Sequence, residues 1–505
     1  MHWGGALFTL CLSASLAASS TNNVPSAISG ERYNEDLFIR PLLGWQNLLE
    51  DVLRDSESSG QHYTLFPLTL GQILEEYSIA ELHLTLNSGK WDYDHWGYPD
   101  DPSVGTGAEL WAWMADGPSS TIDERWTGLR NALAGLFCAS LGSLDMRRTS
   151  SPSTVFPISF SPSTPHALRY ANLPSENVCT ENLTPFVKLL PCKSHAGLAT
   201  LLNPQRIFDA DWHGLSIHLR STEKGTELKL GVQAVFDPVR LSGGRRRDWS
   251  FRLLFDRMAG SSVVRVQVPD GESHALSPTF VADDSAAAVY NLITQVPLDV
   301  SMSWPYEHTF QYTRVHQSRL VPLSIQRTLR GSSQIHVGYF ENLPALVTLW
   351  MHTMETKVDG VKRDDLISNV TYHPHHVLAN GQKSPSTFQA TLTIPAASTL
   401  HLSMEVSRAF LKYTEHPPDA MRGWDLPPAI LFPVCDPTMG ICDMRSTSAD
   451  VRGRMYTPSL LIDLPTPDFS MPYNVIIFTC TLITLIFGSI FNLLTRSWVI
   501  VRVED

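Results

Sequence analysis

The second half of the chain alternates between apolar and polar residues, a period that is typical of β-strands. From about residue 215 onward this alternation predicts strands over residues 250–268, 298–304, 325–341 and 345–356. We therefore expect much of this half to consist of β-sheets that bury one apolar face.

The most regular alternation occupies two neighbouring runs. Their apolar positions are Phe388, Ala390, Leu392 and Ile394, followed by Leu400, Leu402, Met404 and Val406. A short turn at residues 395–398 joins the two runs. Two alternating runs around a short turn predict a β-hairpin with one buried face.

The first half of the chain contains helical periods as well. Helices are expected over residues 42–53 and 67–77, whereas residues 81–86 alternate as a half-buried strand does. Thr121 and Glu124 have the spacing of a capping box, in which each side chain bonds to the backbone amide of the other residue. The helix that follows should carry its apolar residues on one face and present Cys138 just beyond its end. These apolar residues are Ile122, Trp126, Leu129, Leu133 and Leu136.

These patterns together predict a mainly β protein with some α structure. We expect sandwich-like β domains with flanking helices, divided into an α+β region over residues 20–243 and a β-sandwich-like region over residues 244–474. A chain of 505 residues is long enough for such domains to bury a large core.

The amino-terminal segment has the features of a secretory signal. Residues 6–18 are small and apolar, and residues 17–19 offer a plausible cleavage region. We therefore expect residues 1–19 to be a signal peptide and the rest of the chain to enter the secretory pathway.

A second apolar segment lies near the other end, at residues 475–494. It carries no charge and is about 30 Å long as a helix, which matches the hydrocarbon core of a bilayer. Arg496 and Arg502 follow it, and positive charge favours the cytosolic side. This predicts a single-pass type I membrane protein with a cytosolic tail at residues 495–505.

Cysteine pairing is expected because the secretory pathway is oxidising. Cys11 would leave with the signal peptide and Cys480 lies in the membrane segment, so five of the seven cysteines remain in the lumen. An odd number implies a bond to another protein or a free thiol. Cys435 and Cys442 flank a turn-like segment that can close a small loop. One of the other three should be left over, and these are Cys138, Cys179 and Cys192.

Two sequons, at Asn182 and Asn369, predict N-glycosylation of exposed loops. The first lies between Cys179 and Cys192. The net charge of -12 argues against a nucleic-acid partner, because phosphate binding depends on clustered basic residues.

A membrane-anchored glycan-processing enzyme is one interpretation of this composition. Residues 91–101 combine aromatic rings with carboxylates, among them Asp92 and Asp94, as glycosidase sites do. A surface loop is the competing interpretation, since the separation of the carboxylates cannot be read from sequence. No Gly-x-Ser-x-Gly elbow, caspase-type cysteine motif or phosphate-binding glycine loop occurs, so the sequence predicts no catalytic residue, cofactor or metal site.

Several blocks of the chain carry a resemblance to a known family. They are Leu-Phe-Pro at 65–67, Leu-Gly-Gln at 70–72, Glu-Leu-His-Leu at 81–84, Gly-Ala-Glu-Leu-Trp at 107–111, Phe-Cys-Ala-Ser-Leu at 137–141, the segment 179–192 and Leu-Pro-Thr-Pro-Asp-Phe-Ser-Met-Pro-Tyr-Asn-Val at 464–475. In this order they resemble the PIG-T family, the lumenal accessory subunit of the glycosylphosphatidylinositol (GPI) transamidase. The resemblance covers most of the chain after about residue 60.

The resemblance implies a noncatalytic scaffold in the membrane of the endoplasmic reticulum. The family stabilises a caspase-like catalytic subunit that attaches GPI anchors to precursor proteins, and the nucleophile belongs to that other subunit. Cys179 matches the cysteine that forms a disulfide with the catalytic subunit, which leaves Cys138 and Cys192 as an internal pair. A glycan on Asn182 would then have to project away from the partner surface.

Further partners follow from the same resemblance. They are the other membrane subunits of the transamidase, the GPI lipid and the precursor proteins. Tyr473 and Asn474, next to the membrane segment, are candidates for contact with the anchor or with a neighbouring subunit. A cell-surface adhesion protein is a third alternative, and it predicts a location at the cell surface instead.

Overall fold

A computed structural model provides the architecture of this chain. It describes residues 8–15, 34–41, 66–99, 101–115, 120–159, 164–190, 193, 198–222, 225–242, 246–258, 263–267, 275–278, 287–291, 299–304, 324–331, 335–378, 381–409, 411, 423–434, 453–463 and 470–496. The helix expected over residues 42–53 lies outside the described residues.

Strands make up most of the described structure. Those of the first part are β1 (Phe8–Ser15), β2 (Asn34–Pro41), β3 (Ile79–Ser88), β4 (Gly107–Ala115), β5 (His166–Leu173), β6 (Trp212–Thr222), β7 (Gly225–Phe236), β8 (Trp249–Ser250), β9 (Val263–Gln267), β10 (Ala275–Ser277), β11 (Ala287–Asn291) and β12 (Ser301–Ser303). Those of the second part are β13 (Ser324–Gly331), β14 (Ile335–Leu343), β15 (Val347–Val358), β16 (Val361–Lys362), β17 (Ile367–His373), β18 (Ser386–Ile394), β19 (Ser398–Arg408), β20 (Trp424–Leu426), β21 (Ile430–Pro433), β22 (Met455–Tyr456) and β23 (Leu460–Ile462).

Helices are fewer and most of them are short. They are α1 (Leu68–Glu76), α2 (Tyr93–Trp96), α3 (Ile122–Phe137), α4 (Thr180–Lys188), α5 (Pro204–Ile207), α6 (Pro238–Leu241), α7 (Phe251–Phe255) and α8 (Ser470–Thr495). The expected fold class, mainly β with some α, is confirmed. Residues 251–255, expected to be extended, form the short helix α7 instead.

The first part is organised around a nine-stranded sheet in the order β11, β9, β2, β1, β7, β6, β3, β4, β5. Since β9 and β11 belong to this sheet, it continues past residue 243, and the predicted division at that point falls inside it. β1 lies within the predicted signal peptide and pairs with both β2 and β7. Cleavage after residue 19 stays a prediction, and it would remove the strand that joins β2 to β7.

One face of this sheet is apolar and is covered by helices. Leu82 and Leu84 of β3 are buried in the same cluster as Trp126 and Leu133 of α3. The capping box that starts α3 is present: the Thr121 amide donates to Glu124 Oε2 over 2.8 Å, and the Glu124 amide donates to Thr121 Oγ1 over 3.3 Å. Two backbone amides at the start of α3 thereby gain the hydrogen-bond acceptors that the helix itself does not supply. The apolar face of α3 can then pack on the sheet.

The opposite face of β3 is polar but is buried as well, so the expectation of a half-buried strand was wrong. Glu81, His83, Thr85 and Asn87 are each at most 2% exposed. A second apolar cluster covers this face, and it includes residues from both parts of the chain. Among its members are Trp91, Trp111, Phe156, Tyr170, Phe340, Ile430 and Tyr456.

Burying this polar face requires hydrogen bonds for its charged groups. His83 lies 2.9 Å from Glu81 (Nε2 to Oε1) and 2.7 Å from His218 (Nδ1 to Nδ1). His218 Nε2 in turn lies 2.7 Å from Asp101 Oδ2. Ser159 donates to the second oxygen of Glu81 from its amide and its hydroxyl. The side chains of Glu81, His83, His218 and Asp101 form a continuous chain of hydrogen bonds, which we call the buried relay.

The pKa shifts select one arrangement of protons along the buried relay. Burial lowers the pKa of His83 and of His218, which favours two neutral rings, and burial raises the pKa of Glu81. Burial also acts to raise the pKa of Asp101, but the interaction with His218 outweighs burial and holds that pKa well below its usual range, so Asp101 is ionised. When both rings are neutral, His218 donates to Asp101 and accepts from His83, and His83 accepts from Glu81, which is then protonated.

The second part of the chain returns to this first sheet. Tyr456 OH donates to Glu109 Oε1 over 2.8 Å, and Tyr98 OH donates to the carbonyl of Arg454 over 2.9 Å. The Arg454 guanidinium lies 4.4 Å from the ring centroid of Phe156. The segment 453–456 therefore fastens the second part onto the polar face of the first.

Two further sheets lie in the region where a sandwich-like domain is predicted, and their packing as a sandwich stays a prediction. One has the order β13, β19, β15, β16 and the other β17, β18, β14, β21, β22. The predicted turn and both alternating runs are present as β18, β19 and the residues between them, but the hairpin was wrong, because the two strands belong to different sheets. The alternating side chains of both strands are buried as expected, among them Phe388 and Leu402. Consecutive strands that place their apolar faces on two stacked sheets produce the same sequence pattern as a hairpin.

Residues 410–424 and 462–505 form a separate unit that contains α8. Within it, Tyr473–Thr495 is the segment of the described residues that is long and apolar enough to cross a membrane, with a mean hydropathy of 2.1. Its side chains are exposed along the segment, as lipid-facing side chains are. The predicted membrane helix at residues 475–494 is confirmed.

The buried relay generates a prediction about two carboxyl groups. Glu81→Gln should change the free energy of unfolding by less than about 0.5 kcal/mol, because an amide can donate to His83 and accept from Ser159 as the protonated acid does. Asp101→Asn should cost about 1–3 kcal/mol, because the amide cannot accept from both Ser103 and His218. Thermal unfolding of the two variants in detergent measures the difference. A larger loss for Glu81→Gln than for Asp101→Asn would contradict this proton arrangement.

Candidate functional site: the junction of two helices at Cys138 and Cys179

The residues that resemble a partner-binding cysteine segment lie where α3 ends and α4 begins. Cys138 caps the end of α3 in the left-handed conformation, with φ of 50°. Cys179 is the N-cap residue of α4 and is extended. Both cysteines are exposed, and neither is bonded to another cysteine among the described residues. One surface therefore carries two thiols, each at a helix end.

Asn182 connects these two helix ends. Its Oδ1 accepts from the amide of Cys179 over 2.8 Å, and its Nδ2 donates to the carbonyls of Phe137 and Cys138 over 2.8 and 3.3 Å. The last carbonyls and first amides of helices lack partners within the helix. The Asn182 side chain thus supplies hydrogen-bond partners to backbone carbonyls at the end of α3 and to a backbone amide at the start of α4.

The loop before Cys179 is fixed by further hydrogen bonds. The amide of Val178 donates to Ser88 Oγ over 2.8 Å, and Glu176 Oε1 accepts from the amide of Ser140 over 3.1 Å. His213 lies beneath this loop, where burial lowers its pKa to about 4 against the opposing effect of the Val178 backbone. The apolar side chains of α4, Leu183 and Phe186, are buried in the same cluster as α3. The backbone on both sides of Cys179 is therefore held by the sheet and by α3.

The two predicted glycosylation sites differ in accessibility. Asn182 is 1% exposed and its nitrogen is engaged with two carbonyls, so the expectation that this sequon lies in an exposed loop was wrong. The sequon pattern does not reveal that Asn182 lies on the buried side of a helix. Asn369 is exposed at an irregularity in the pairing of β17 and β18, with φ of 49°, and its glycosylation stays a prediction.

The remaining predicted site residues lie either outside the described residues or at the start of the apolar helix α8. Cys192, Cys435 and Cys442 lie outside the described residues, so the pairs Cys138–Cys192 and Cys435–Cys442 stay predictions. Tyr473 and Asn474 lie in the first turn of the segment that can cross a membrane, and both are exposed.

The aromatic and acidic segment 91–101 is part of the core. Trp91 and Trp96 are 3% and 8% exposed, and Trp91 packs edge to face on Trp212. Asp101 belongs to the buried relay and Asp92 is half-buried. Rings that are packed in this way are not available to stack on a sugar, so the geometry favours a packing role for this segment. The buried relay itself was not predicted, because His83, His218 and Asp101 are far apart in sequence.

Comparison with known proteins places most of the chain in one family. A family model described as the Gpi16 subunit, a GPI transamidase component, matches residues 7–249 and 263–505. A GPI transamidase component PIG-T homolog of Schizosaccharomyces pombe is 34% identical, with 94% of this chain and 92% of the relative covered. The GPI-anchor transamidase component PIGT of Homo sapiens is 32% identical, with 86% and 84% covered.

The mouse relative, also named GPI-anchor transamidase component PIGT, is 33% identical over 89% of this chain and 85% of its own length. The matched ranges include α3, α4 and both exposed cysteines at their junction. The chain belongs to the Gpi16 family of GPI transamidase components.

Proposed function

We propose that this chain is the noncatalytic scaffold subunit of the GPI transamidase and that Cys179 forms a disulfide with the caspase-like catalytic subunit. Membership of the Gpi16 family and the names of the relatives support a place in that complex. The proposed location is the membrane of the endoplasmic reticulum, with the sheets in the lumen and residues 495–505 in the cytosol.

The observation that carries this proposal is the position of the Cys179 thiol. It is exposed at the start of a helix whose backbone is held by Asn182, and the preceding residue is held by Ser88. A thiol on a fixed backbone loses little further conformational freedom when it bonds to a partner, which favours a stable adduct. Cys138 is exposed on the same junction, which makes it the natural control for Cys179.

Formation of the bond is an oxidation. The two thiols lose two protons and two electrons as the sulfur–sulfur bond forms, and a disulfide-bearing oxidant of the secretory pathway accepts them by thiol–disulfide exchange. The transamidation itself would proceed on the catalytic subunit. In this proposal the present chain contributes a docking surface and a membrane anchor.

The competing glycan-processing function has less support. The carboxylate-rich segment 91–101 packs its rings into the core, and Asp101 is engaged by His218. If the purified protein turned over a glycan and lost that activity on Asp92→Asn, the competing function would be correct.

The anchor is proposed to do more than hold the chain in the membrane. Tyr473 and Asn474 lie at the start of the apolar helix, at the depth where aromatic residues meet lipid headgroups. We expect them to contact the GPI lipid or a neighbouring membrane subunit.

The disulfide proposal predicts different results for the two cysteines. Cys179→Ser should abolish the high-mass adduct with the catalytic subunit on nonreducing electrophoresis, whereas Cys138→Ser should leave it in place. The catalytic subunit should still copurify with Cys179→Ser, because a standard interface of about 1,600 Å² holds subunits together without a covalent bond. An adduct that survives Cys179→Ser, or that is lost with Cys138→Ser alone, would disprove the assignment.

The juxtamembrane proposal predicts a specific crosslink. A photoreactive residue in place of Tyr473 should crosslink to a labelled GPI anchor or to a membrane subunit of the complex. The same probe in place of Leu485, an exposed residue in the middle of the helix, is the control for proximity to bulk lipid. Equal labelling of bulk lipid at both positions would count against a specific contact.

A further inference from the structure

Asn182 is part of a sequon, yet its side chain has no free hydrogen-bonding group. The oxygen accepts from Cys179, and the nitrogen has one hydrogen for each of the carbonyls of Phe137 and Cys138. The reverse orientation of the amide would set its oxygen against two carbonyls and its nitrogen against an N–H group. Only one orientation therefore satisfies all three contacts.

This geometry is incompatible with a glycan. An N-glycan replaces a hydrogen of Nδ2, and that nitrogen is enclosed by the end of α3 in a residue that is 1% exposed. A sugar at this position would separate α3 from α4 and expose Leu183 and Phe186, which are 2% exposed. A chain that has folded in this way cannot carry a glycan at Asn182.

The same contacts determine where the Cys179 thiol is presented. Asn182 is the third residue of α4 and accepts from the N-cap amide, as a capping-box residue does. It also ties that turn to the carbonyls of α3, a helix of 16 residues packed on the main sheet. Without Asn182 the first turn of α4 loses both the acceptor of the Cys179 amide and its link to α3.

We infer that Asn182 is an unglycosylated positioning residue that locks the start of α4 to the end of α3 and so presents the Cys179 thiol to the partner. The positioning half of this inference rests on the proposed disulfide of Cys179. The unglycosylated state does not depend on that disulfide.

The first measurement uses the unaltered full-length chain, purified in its complex. Enzymatic removal of an N-glycan converts the modified asparagine to aspartate, which mass spectrometry detects. The peptide that carries Asn182 should retain asparagine in the assembled protein. Aspartate at position 182 in most of the assembled chain would overturn the inference.

The second measurement compares two variants. Thr184→Ala destroys the sequon but keeps Asn182, and Thr184 is exposed with a hydrogen bond only to Thr180 O among the described contacts. Asn182→Asp also destroys the sequon and keeps the oxygen that accepts from Cys179, but it sets a carboxylate against the carbonyls of Phe137 and Cys138. Nonreducing electrophoresis measures the adduct, and copurification after reduction measures folding and assembly.

Thr184→Ala should leave the adduct unchanged, whereas Asn182→Asp should lower it severalfold while the partner still copurifies. An unchanged adduct in Asn182→Asp would overturn the positioning role. Equal loss of adduct and copurification would also overturn it, since Asn182 would then serve the fold alone. If the unaltered chain forms no adduct through Cys179, the proposed function fails and the positioning role with it, while retained asparagine at 182 still supports the unglycosylated state.

Discussion

The structure depends on a central sheet that is buried on both faces. Apolar residues of β3 such as Leu82 pack against α3, and the polar residues between them, such as His83, lie beneath the second part of the chain. The titratable side chains of this face need hydrogen-bond partners, because a buried unpaired polar group costs about 1–3 kcal/mol. The buried relay from Glu81 to Asp101 meets that requirement. The sheet can therefore pack against α3 on one face and against the second part of the chain on the other.

The two faces of the sheet have separate consequences. The polar face holds the segment 453–456, so the second part is fastened to the first through Tyr456 and Glu109. The apolar face holds α3 and α4, whose adjoining ends present Cys138 and Cys179. The main sheet with α3 and α4 packed on it, the platform, therefore supports the exposed residues Cys138 and Cys179. This is the arrangement expected of a subunit that holds another protein, since the site is fixed before the partner binds.

Local sequence signals predicted local structure correctly. The capping box of Thr121 and Glu124, the helix α1 and the apolar helix at the end of the chain each depend on residues within a few turns of one another. Pairing between distant segments was not predictable in the same way. The alternation around residues 395–398 fits a hairpin and a crossing between two sheets equally well, and only the pairing of β18 with β14 and of β19 with β13 separates them. The candidate site shows the same limit. The sequence and its family resemblance drew attention to Cys179, whereas the burial of Asn182 depends on the end of α3, which lies 45 residues earlier in the chain.

We propose above that the platform presents Cys179 to another protein. Mass-spectrometric mapping of disulfide-linked peptides in the nonreduced complex tests it without any substitution. We expect the peptide containing Cys179 to be joined to a peptide of the catalytic subunit. A peptide in which Cys179 is joined to Cys138 or Cys192 of the same chain would contradict it.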